Sequence, residues 1–162
     1  MEVTRIHDGL WRWSVTRDGL ELASAYLEHG DAMLLVDPVI PAAVDDRARF
    51  ERALARDRAR LGGAVWVLLT RADEPRDADE VRLMTGGRQW TPGDPEPPGV
   101  TTIPVGEPGV AAIWSPGHRA LMPGRAMTAS SGALLPAPGV DGDALLALEP
   151  EVVIPSVGPM MG

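Results

Sequence analysis

The chain has 162 residues, of which 44% are hydrophobic and 23% charged, and this length is enough for a single domain, residues 1–162, with a substantial core. Its net charge of −8 argues against a surface that binds nucleic acid or an anionic membrane. The chain contains no cysteine, which excludes disulfide bonds, a thiolate zinc site and a cysteine nucleophile.

All fifteen basic residues are arginine, and this usage, together with abundant glycine and proline, suggests a GC-rich bacterial genome. The sequence does not begin with the basic segment and apolar stretch of a secretory signal. Its apolar runs are all shorter than the roughly 20 residues that span a bilayer. We therefore expect a soluble, cytoplasmic protein that binds neither nucleic acid nor membrane.

The N-terminal part of the sequence predicts strands. Residues 10–15 alternate in polarity around two tryptophans, and the segment 17–19 (Arg-Asp-Gly) has the residues of a tight turn. A second strand is predicted over 23–28. The run 32–36 is apolar throughout, which is typical of a strand covered on both faces, and it ends at Asp37-Pro38.

The middle of the chain predicts two helices that flank a buried strand. In the first helix, 42–61, apolar residues recur at spacings of seven, four and seven on one stripe. These residues are Ala43, Phe50, Leu54 and Leu61. On the polar side, Asp45 and Arg49 have the spacing of a favourable ion pair. Residues 64–70 predict the buried strand, and residues 75–84 the second helix.

The remainder of the chain predicts short strands separated by glycine and proline. Residues 91–99 hold four prolines and two glycines, which indicates a loop. The predicted strands cover residues 101–105, 110–114, 119–122, 126–129 and 151–155. Asp141 is a suitable N-cap for a short helix over 141–148. This order of elements, with hairpins first, favours a mixed sandwich with outer helices over a doubly wound sheet.

Four places, spread over almost the whole chain, resemble the metallo-β-lactamase superfamily. They are the strand pair 24–27 and 33–38, the strand 67–70 with its following loop, the segment 114–118 with Gly124-Arg125 behind it, and the terminal segment 152–159. The resemblance implies an α+β fold, the four-layer αβ/βα sandwich of that superfamily. We expect a trimmed version, because the chain is shorter than most members.

The resemblance also implies where a metal centre would lie, because the family has Thr-His-x-His-x-Asp-His after its buried strand. Here the same stretch reads Thr70-Arg71-Ala72-Asp73-Glu74-Pro75-Arg76. In an ungapped register, the three histidine positions hold Arg71, Asp73 and Arg76. A gapped register instead places Asp73 on the family's Asp and Glu74 on its last histidine.

Other ligand positions also differ from the family. The Asp that bridges two metals in the family corresponds to Arg125, and the terminal histidine corresponds to Val157. Only His118 matches a ligand position, in a Ser-Pro-Gly-His segment that is similar to the family's Thr-Pro-Gly-His. Arginine stays cationic and only donates hydrogen bonds, so it cannot bind zinc. We therefore expect neither a metal nor another cofactor.

The sequence thus predicts a former active-site loop, formed by Arg71, Asp73, Glu74, Arg76 and Arg125. We expect its arginines to pair with the carboxylates of Asp37, Asp73 and Glu74 and so close the site. We also expect Asp73 or Glu74 to cap the helix that begins at Pro75. The predicted function is non-catalytic binding, scaffolding or regulation, in a homo-oligomer or with a protein partner.

Two alternatives remain open. In the first, the ligands of zinc or another divalent metal are Asp73, Glu74 and His118, and the protein is a hydrolase with a rearranged site. Asp37 would support these ligands. In the second, the arginines at positions 71, 76 and 125 bind a small anion such as phosphate or a carboxylate.

Overall fold

The architecture is a sandwich of two β-sheets with helices on both outer faces. The computed structural model describes residues 1–130 and 133–161. The larger sheet has six strands in the order in which they occur along the chain. They are β1 (Glu2–His7), β2 (Leu10–Arg17), β3 (Leu20–His29), β4 (Ala32–Val36), β5 (Val65–Leu68) and β6 (Arg88–Trp90).

The larger sheet changes from antiparallel to parallel halfway across. Strands β1 to β4 pair antiparallel through short turns, whereas β4, β5 and β6 are parallel. Parallel neighbours need a crossover connection. Helices α1 (Val44–Leu61) and α2 (Ala78–Thr85) provide the two crossovers.

The smaller sheet has four strands in the order β12-β9-β8-β7. They are β7 (Thr101–Pro104), β8 (Ala111–Ser115), β9 (Ala120–Gly124) and β12 (Val152–Pro155). Strand β12 runs parallel to β9. The chain between them contains the hairpin β10 (Met127–Ser130) and β11 (Ala133–Pro136), and helix α3 (Gly142–Leu146).

Three hydrophobic clusters divide the molecule into four layers. The inner cluster lies between the two sheets and includes Leu34, Trp90, Ile113, Met122 and Ile154. A second cluster joins the larger sheet to the first two helices and includes Leu35, Phe50, Leu54, Val67 and Val81. A third joins the smaller sheet to α3 and includes Leu121, Met127, Leu145 and Val153. The order helix, sheet, sheet, helix is the predicted αβ/βα sandwich.

Helix α1 is amphipathic. Phe50 and Leu54 are buried against the sheet, and Gly62 ends the helix with a φ of 74° and a hydrogen bond to the carbonyl of Arg58. Arg49 pairs with Asp46 at 3.4 Å, and not with Asp45 as predicted. Within the described ranges, we find no helix with the length and apolarity required to cross a membrane.

Two strands of the structure were not predicted, and one predicted helix stripe has a different start. Strand β1 lies at the sheet edge with mostly exposed polar side chains, so it lacks the alternation that reveals a half-buried strand. Strand β6 has only three residues, which is too short for a pattern. The α1 stripe begins at Phe50, because Ala43 is the exposed N-cap. Asp141 does cap α3, since its carboxylate accepts a hydrogen bond from the Ala144 backbone N at 3.0 Å.

The two sheets approach each other closely at Gly124, the last residue of β9. Its φ of 61° lies in the left-handed region that favours glycine. A Cβ added there would lie 2.6 Å from the Cβ of Thr70 and would overlap its hydroxyl. Glycine is therefore required by both the backbone conformation and the close approach of Thr70.

We predict that Gly124→Ala lowers the free energy of unfolding by about 2 kcal/mol or more, because strain and overlap act together. Urea denaturation measures this change. The matched control is Gly117→Ala in the β8–β9 turn, where an added Cβ has nothing within 4 Å. Equal stability of the two variants would contradict the close contact.

Candidate functional site

The ends of four strands meet at one end of the sandwich. Asp37 follows β4, Thr70 follows β5, Gly124 ends β9 and Ser156 follows β12. The Ser156 backbone N donates to the Gly124 carbonyl at 3.1 Å, and Gly124 in turn contacts Thr70. We call this region the cradle and define it as Asp37, residues 70–76, Gly124, Arg125 and Ser156.

Asp37 is the buried centre of the cradle. Its carboxylate accepts two hydrogen bonds from Thr70, one from the backbone N at 2.8 Å and one from the hydroxyl at 2.5 Å. Its carbonyl accepts a third bond from the Ser24 hydroxyl at 2.8 Å. Burial raises the pKa of the Asp37 carboxyl, while the Arg76 charge and the Thr70 bonds oppose that rise. Both carboxylate oxygens therefore hold the end of β4 against the end of β5.

Arg76 reaches into the cradle and binds backbone oxygens. Its Nη1 donates to the carbonyls of Ala23 at 3.0 Å and Asp37 at 3.3 Å. Its Nη2 donates to the carbonyl of Ser156 at 3.0 Å. Burial lowers the pKa of the guanidinium, and the carboxylates of Asp37 and Glu74 act in the opposite direction. Because Ala23 lies in the larger sheet and Ser156 follows a strand of the smaller one, this cation joins the two sheets.

The backbone of Arg76 explains why α2 begins later than predicted. Its φ is 49°, a left-handed conformation that costs a non-glycine residue on the order of 1–3 kcal/mol. A helix cannot run through such a residue, so α2 begins at Ala78 instead of 75. The three carbonyl bonds of the side chain stabilise this unfavourable backbone conformation.

The other two arginines of the predicted loop form ion pairs. Arg71 binds the Asp73 carboxylate at 2.9 Å and the Glu107 carboxylate at 3.1 Å. Arg125 binds Glu74 at 3.2 Å. The loop residues predicted from sequence therefore lie together. Glu107 was missed, although it stands in a Gly-Glu-Pro-Gly loop directly before a strand.

The carboxylates of this loop do not cap α2. Asp77 occupies the N-cap position, and its side chain makes no capping bond. The Asp77 carboxylate instead accepts hydrogen bonds from the backbone N of Ile40 and from Arg17, both at 2.7 Å. The prediction that Asp73 or Glu74 caps the helix was wrong, because α2 begins at Ala78 and its N-cap position is Asp77.

No protein-family model matches the chain, and no curated protein sequence matches it significantly. Solved structures do match it. A metallo-β-lactamase from Hirschia baltica superimposes with a TM-score of 0.67 at 16% identity, over 99% of this chain and 92% of the other. One from Erythrobacter litoralis gives 0.64 at 13% identity, over 99% and 90%. The DIM-1 metallo-β-lactamase gives 0.63 at 11% identity, over 99% and 90%.

The protein has the metallo-β-lactamase fold. This finding confirms the resemblance that the sequence suggested and the fold class that it implied. The similarity concerns architecture, because the identities are low. The cradle must therefore be judged from its own residues.

The metallo-β-lactamase fold places His118 far from the cradle. His118 lies in the turn between β8 and β9, whereas the cradle lies at the other end of β9, roughly 13 Å away. Its Nε2 donates to the carbonyl of Glu28 at 2.9 Å, and its ring stacks on His7 at 5.0 Å. The match to the family's Thr-Pro-Gly-His was wrong, because this Pro-Gly segment forms a hairpin turn. A metal site that joins His118 to Asp73 and Glu74 is not assembled.

The residues of the cradle do not fit the zinc centre associated with this fold. A zinc site needs neutral imidazoles and free carboxylate oxygens. Here the Asp37 carboxylate is bound by Thr70. The carboxylates of Asp73, Glu74 and the neighbouring Glu107 are bound by arginine. Among the described residues, no group of three or more His, Cys, Asp or Glu side chains could hold a metal ion.

The C-terminal segment closes the sandwich beside the cradle. Val157, which the sequence analysis matched to the family's terminal histidine, forms a β-bridge with Leu22 and packs in the second cluster. The buried Arg12 donates to the Gly158 carbonyl at 3.0 Å and to the Glu21 carboxylate at 2.5 Å. This terminal position therefore contributes packing and backbone pairing.

We predict that Arg76→Met lowers the free energy of unfolding by about 2 kcal/mol, because three carbonyls lose their donor and Asp37 loses a nearby cation. Arg71→Met is the matched control, and it should have a much smaller effect because both of its carboxylate partners are exposed. Urea denaturation compares the two variants. Equal losses would show that Arg76 is not the tie between the sheets.

The Arg12–Glu21 pair predicts a dependence of stability on pH. The hydrogen bond from Arg12 lowers the pKa of Glu21, so the pair stabilises the fold above the ordinary glutamate pKa of about 4.3 and loses this effect as pH falls below it. Glu21→Gln should cost about 1 kcal/mol at pH 7, allowing for screening at this partly exposed carboxylate. The stability difference between the wild type and the variant should shrink on acidification. A constant difference between about pH 6 and pH 3 would contradict this.

Proposed function

We propose that this metallo-β-lactamase-fold protein has lost the metal centre of the fold and acts as a non-catalytic binding, scaffolding or regulatory protein. The observation that carries the proposal is Arg76, whose guanidinium binds the carbonyls of Ala23, Asp37 and Ser156. A fixed cation at this point supports the strand ends by itself. It would also repel a second cation from the same space.

The hydrolase alternative has less support from the cradle. In metal-dependent hydrolysis, the ion lowers the pKa of a bound water and so creates the nucleophile. Here the donors that could bind such an ion have other partners, and three arginines add positive charge. A metal would have to displace several ion pairs and hydrogen bonds before it could bind.

The anion-binding alternative has a similar weakness. Arg71 and Arg125 are neutralised by carboxylates, and Arg76 is bound to three carbonyl oxygens. A phosphate or carboxylate would have to compete with partners that are already in place. The cradle therefore supports a closed structural element better than an anion site.

A non-catalytic role requires something to bind. We include in the proposal a protein partner or further copies of this chain, acting in the cytoplasm. Light scattering coupled to size exclusion tests the homo-oligomer. If the protein is monomeric at high micromolar concentration, the proposed partner is a different protein.

The decisive experiment is elemental analysis of protein purified without a metal-affinity step, from cells grown with added zinc, manganese and iron. We expect far less than one metal ion per chain. A chelator should leave the melting temperature unchanged, because a ligand that is not bound cannot stabilise the native state. Near-stoichiometric metal together with a lower melting temperature in chelator would overturn the proposal.

A matched variant tests whether the cradle can be reopened. The triple variant Arg71→His/Arg76→His/Arg125→Asp supplies ligands of the types that zinc prefers. We expect zinc to raise the melting temperature of this triple variant and not that of the wild type. A zinc-induced rise in the wild type would show that its cradle still accepts the ion.

A further inference from the structure

A groove runs between helices α1 and α2 on the outer side of the larger sheet. Its volume is about 590 Å³. Leu54 and Met84 give it an apolar floor, and the small side chains of Ala55 and Ala59 keep its α1 wall low. Both alanines are exposed, so the groove is open to solvent. Among the described residues that line it, none belongs to the cradle.

The charges of the groove leave one cation without a partner. Arg47 donates to the Glu51 carboxylate at 3.0 Å and also binds Glu80 of α2, so this end of the groove is neutralised. Arg58 is exposed at the other end, and among the described residues no carboxylate lies within ion-pair distance of it. Its guanidinium lies beside Gly86, where an added Cβ would be 3.5 Å from the Nη2 atom.

The edge of the groove carries an exposed apolar side chain. Leu83 precedes Met84 on α2 and is 75% exposed, the largest fraction of any leucine among the described residues. Covering such a side chain is favourable because it removes apolar surface from water. A single exposed leucine is ordinary, but this one stands next to an apolar groove on the same surface.

One helical turn before Leu83 lies Asp79, and 76% of its side chain is exposed. Among the described residues its ion-pair partner is Arg82, at 3.5 Å on the same helix. An exposed contact of this kind contributes little to stability. The carboxylate of Asp79 is therefore available to a cation of another molecule.

The apolar and charged residues of this surface have matching spacings in opposite directions. Arg58 follows Leu54 by four residues on α1, whereas Asp79 precedes Leu83 by four residues on α2. Four residues are about one helical turn, or about 6 Å. Helices α1 and α2 run in the same direction, since each connects parallel neighbouring strands. An antiparallel second α2 with its Leu83 on Leu54 would thus bring its Asp79 to Arg58.

We propose that this surface joins two copies of the chain in a two-fold dimer. Leu83 of each copy fills the groove of the other, and Asp79 of each copy pairs with Arg58 of the other. A two-fold interface uses the same patch on both subunits, so that patch must be complementary to itself, as this one is.

The local charge permits this contact between like molecules. The lining of the groove holds two arginines and one glutamate, so the net charge of −8 is not concentrated there. The inference rests on the proposed binding role and names its partner as a second copy of the chain.

The test is sedimentation velocity of the full chain at high micromolar concentration. We expect the wild type to sediment as a dimer and Leu83→Arg as a monomer, because a charge buried in the apolar groove would be costly. The matched control is Leu135→Arg on β11, which is 51% exposed and belongs to the opposite outer side of the sandwich. This control should remain a dimer.

An exchange of charges tests the alignment of the two copies. Arg58→Glu and Asp79→Arg should each weaken dimerisation by about ten-fold, because each replaces two attractions in the dimer with two repulsions. The double variant Arg58→Glu/Asp79→Arg should dimerise like the wild type. Near-ultraviolet circular dichroism checks that every variant is folded.

Three results would overturn the proposal. They are a folded wild type that is monomeric or larger than a dimer, equal behaviour of Leu83→Arg and Leu135→Arg, and a double exchange that dimerises no better than the single variants. A monomeric wild type would not touch the proposed loss of the metal centre, because the metal content of the protein is measured separately.

Discussion

Three backbone carbonyls, those of Ala23, Asp37 and Ser156, converge on the guanidinium of Arg76, and the rest of the cradle depends on this contact. A carbonyl that is withdrawn from water without a donor costs free energy, and guanidinium is the side chain with the most donors in one plane. The contact joins the larger sheet to the segment that follows β12. It also holds Arg76 in its left-handed backbone conformation and so sets the start of α2.

The other charges of the cradle are arranged around this cation. Asp37 uses both carboxylate oxygens on Thr70, and the outer arginines pair with Asp73, Glu107 and Glu74. Each buried or half-buried charge thus has a partner within the protein, which is the condition for stability in a poorly solvated site. The side chains at these strand ends form a closed network.

The layers of the fold could be predicted from sequence because they depend on local patterns. The apolar run of β4, the stripe of Phe50 and Leu54, and the Asp141 cap are each visible within a few residues. The cradle could be predicted only in part. Carbonyl acceptors carry no sequence signal, so the role of Arg76 was not visible, and His118 was misplaced because a Pro-Gly motif does not reveal which end of a strand it serves.

The most direct test of the account is a crystal structure grown with excess zinc, with diffraction data collected at the zinc absorption edge. We predict that Arg76 binds the three carbonyls and that the anomalous map contains no zinc peak in the cradle. A zinc peak coordinated by Asp37, Asp73 or Glu74, with the Arg76 side chain turned away, would contradict the claim that a guanidinium has taken the place of the metal.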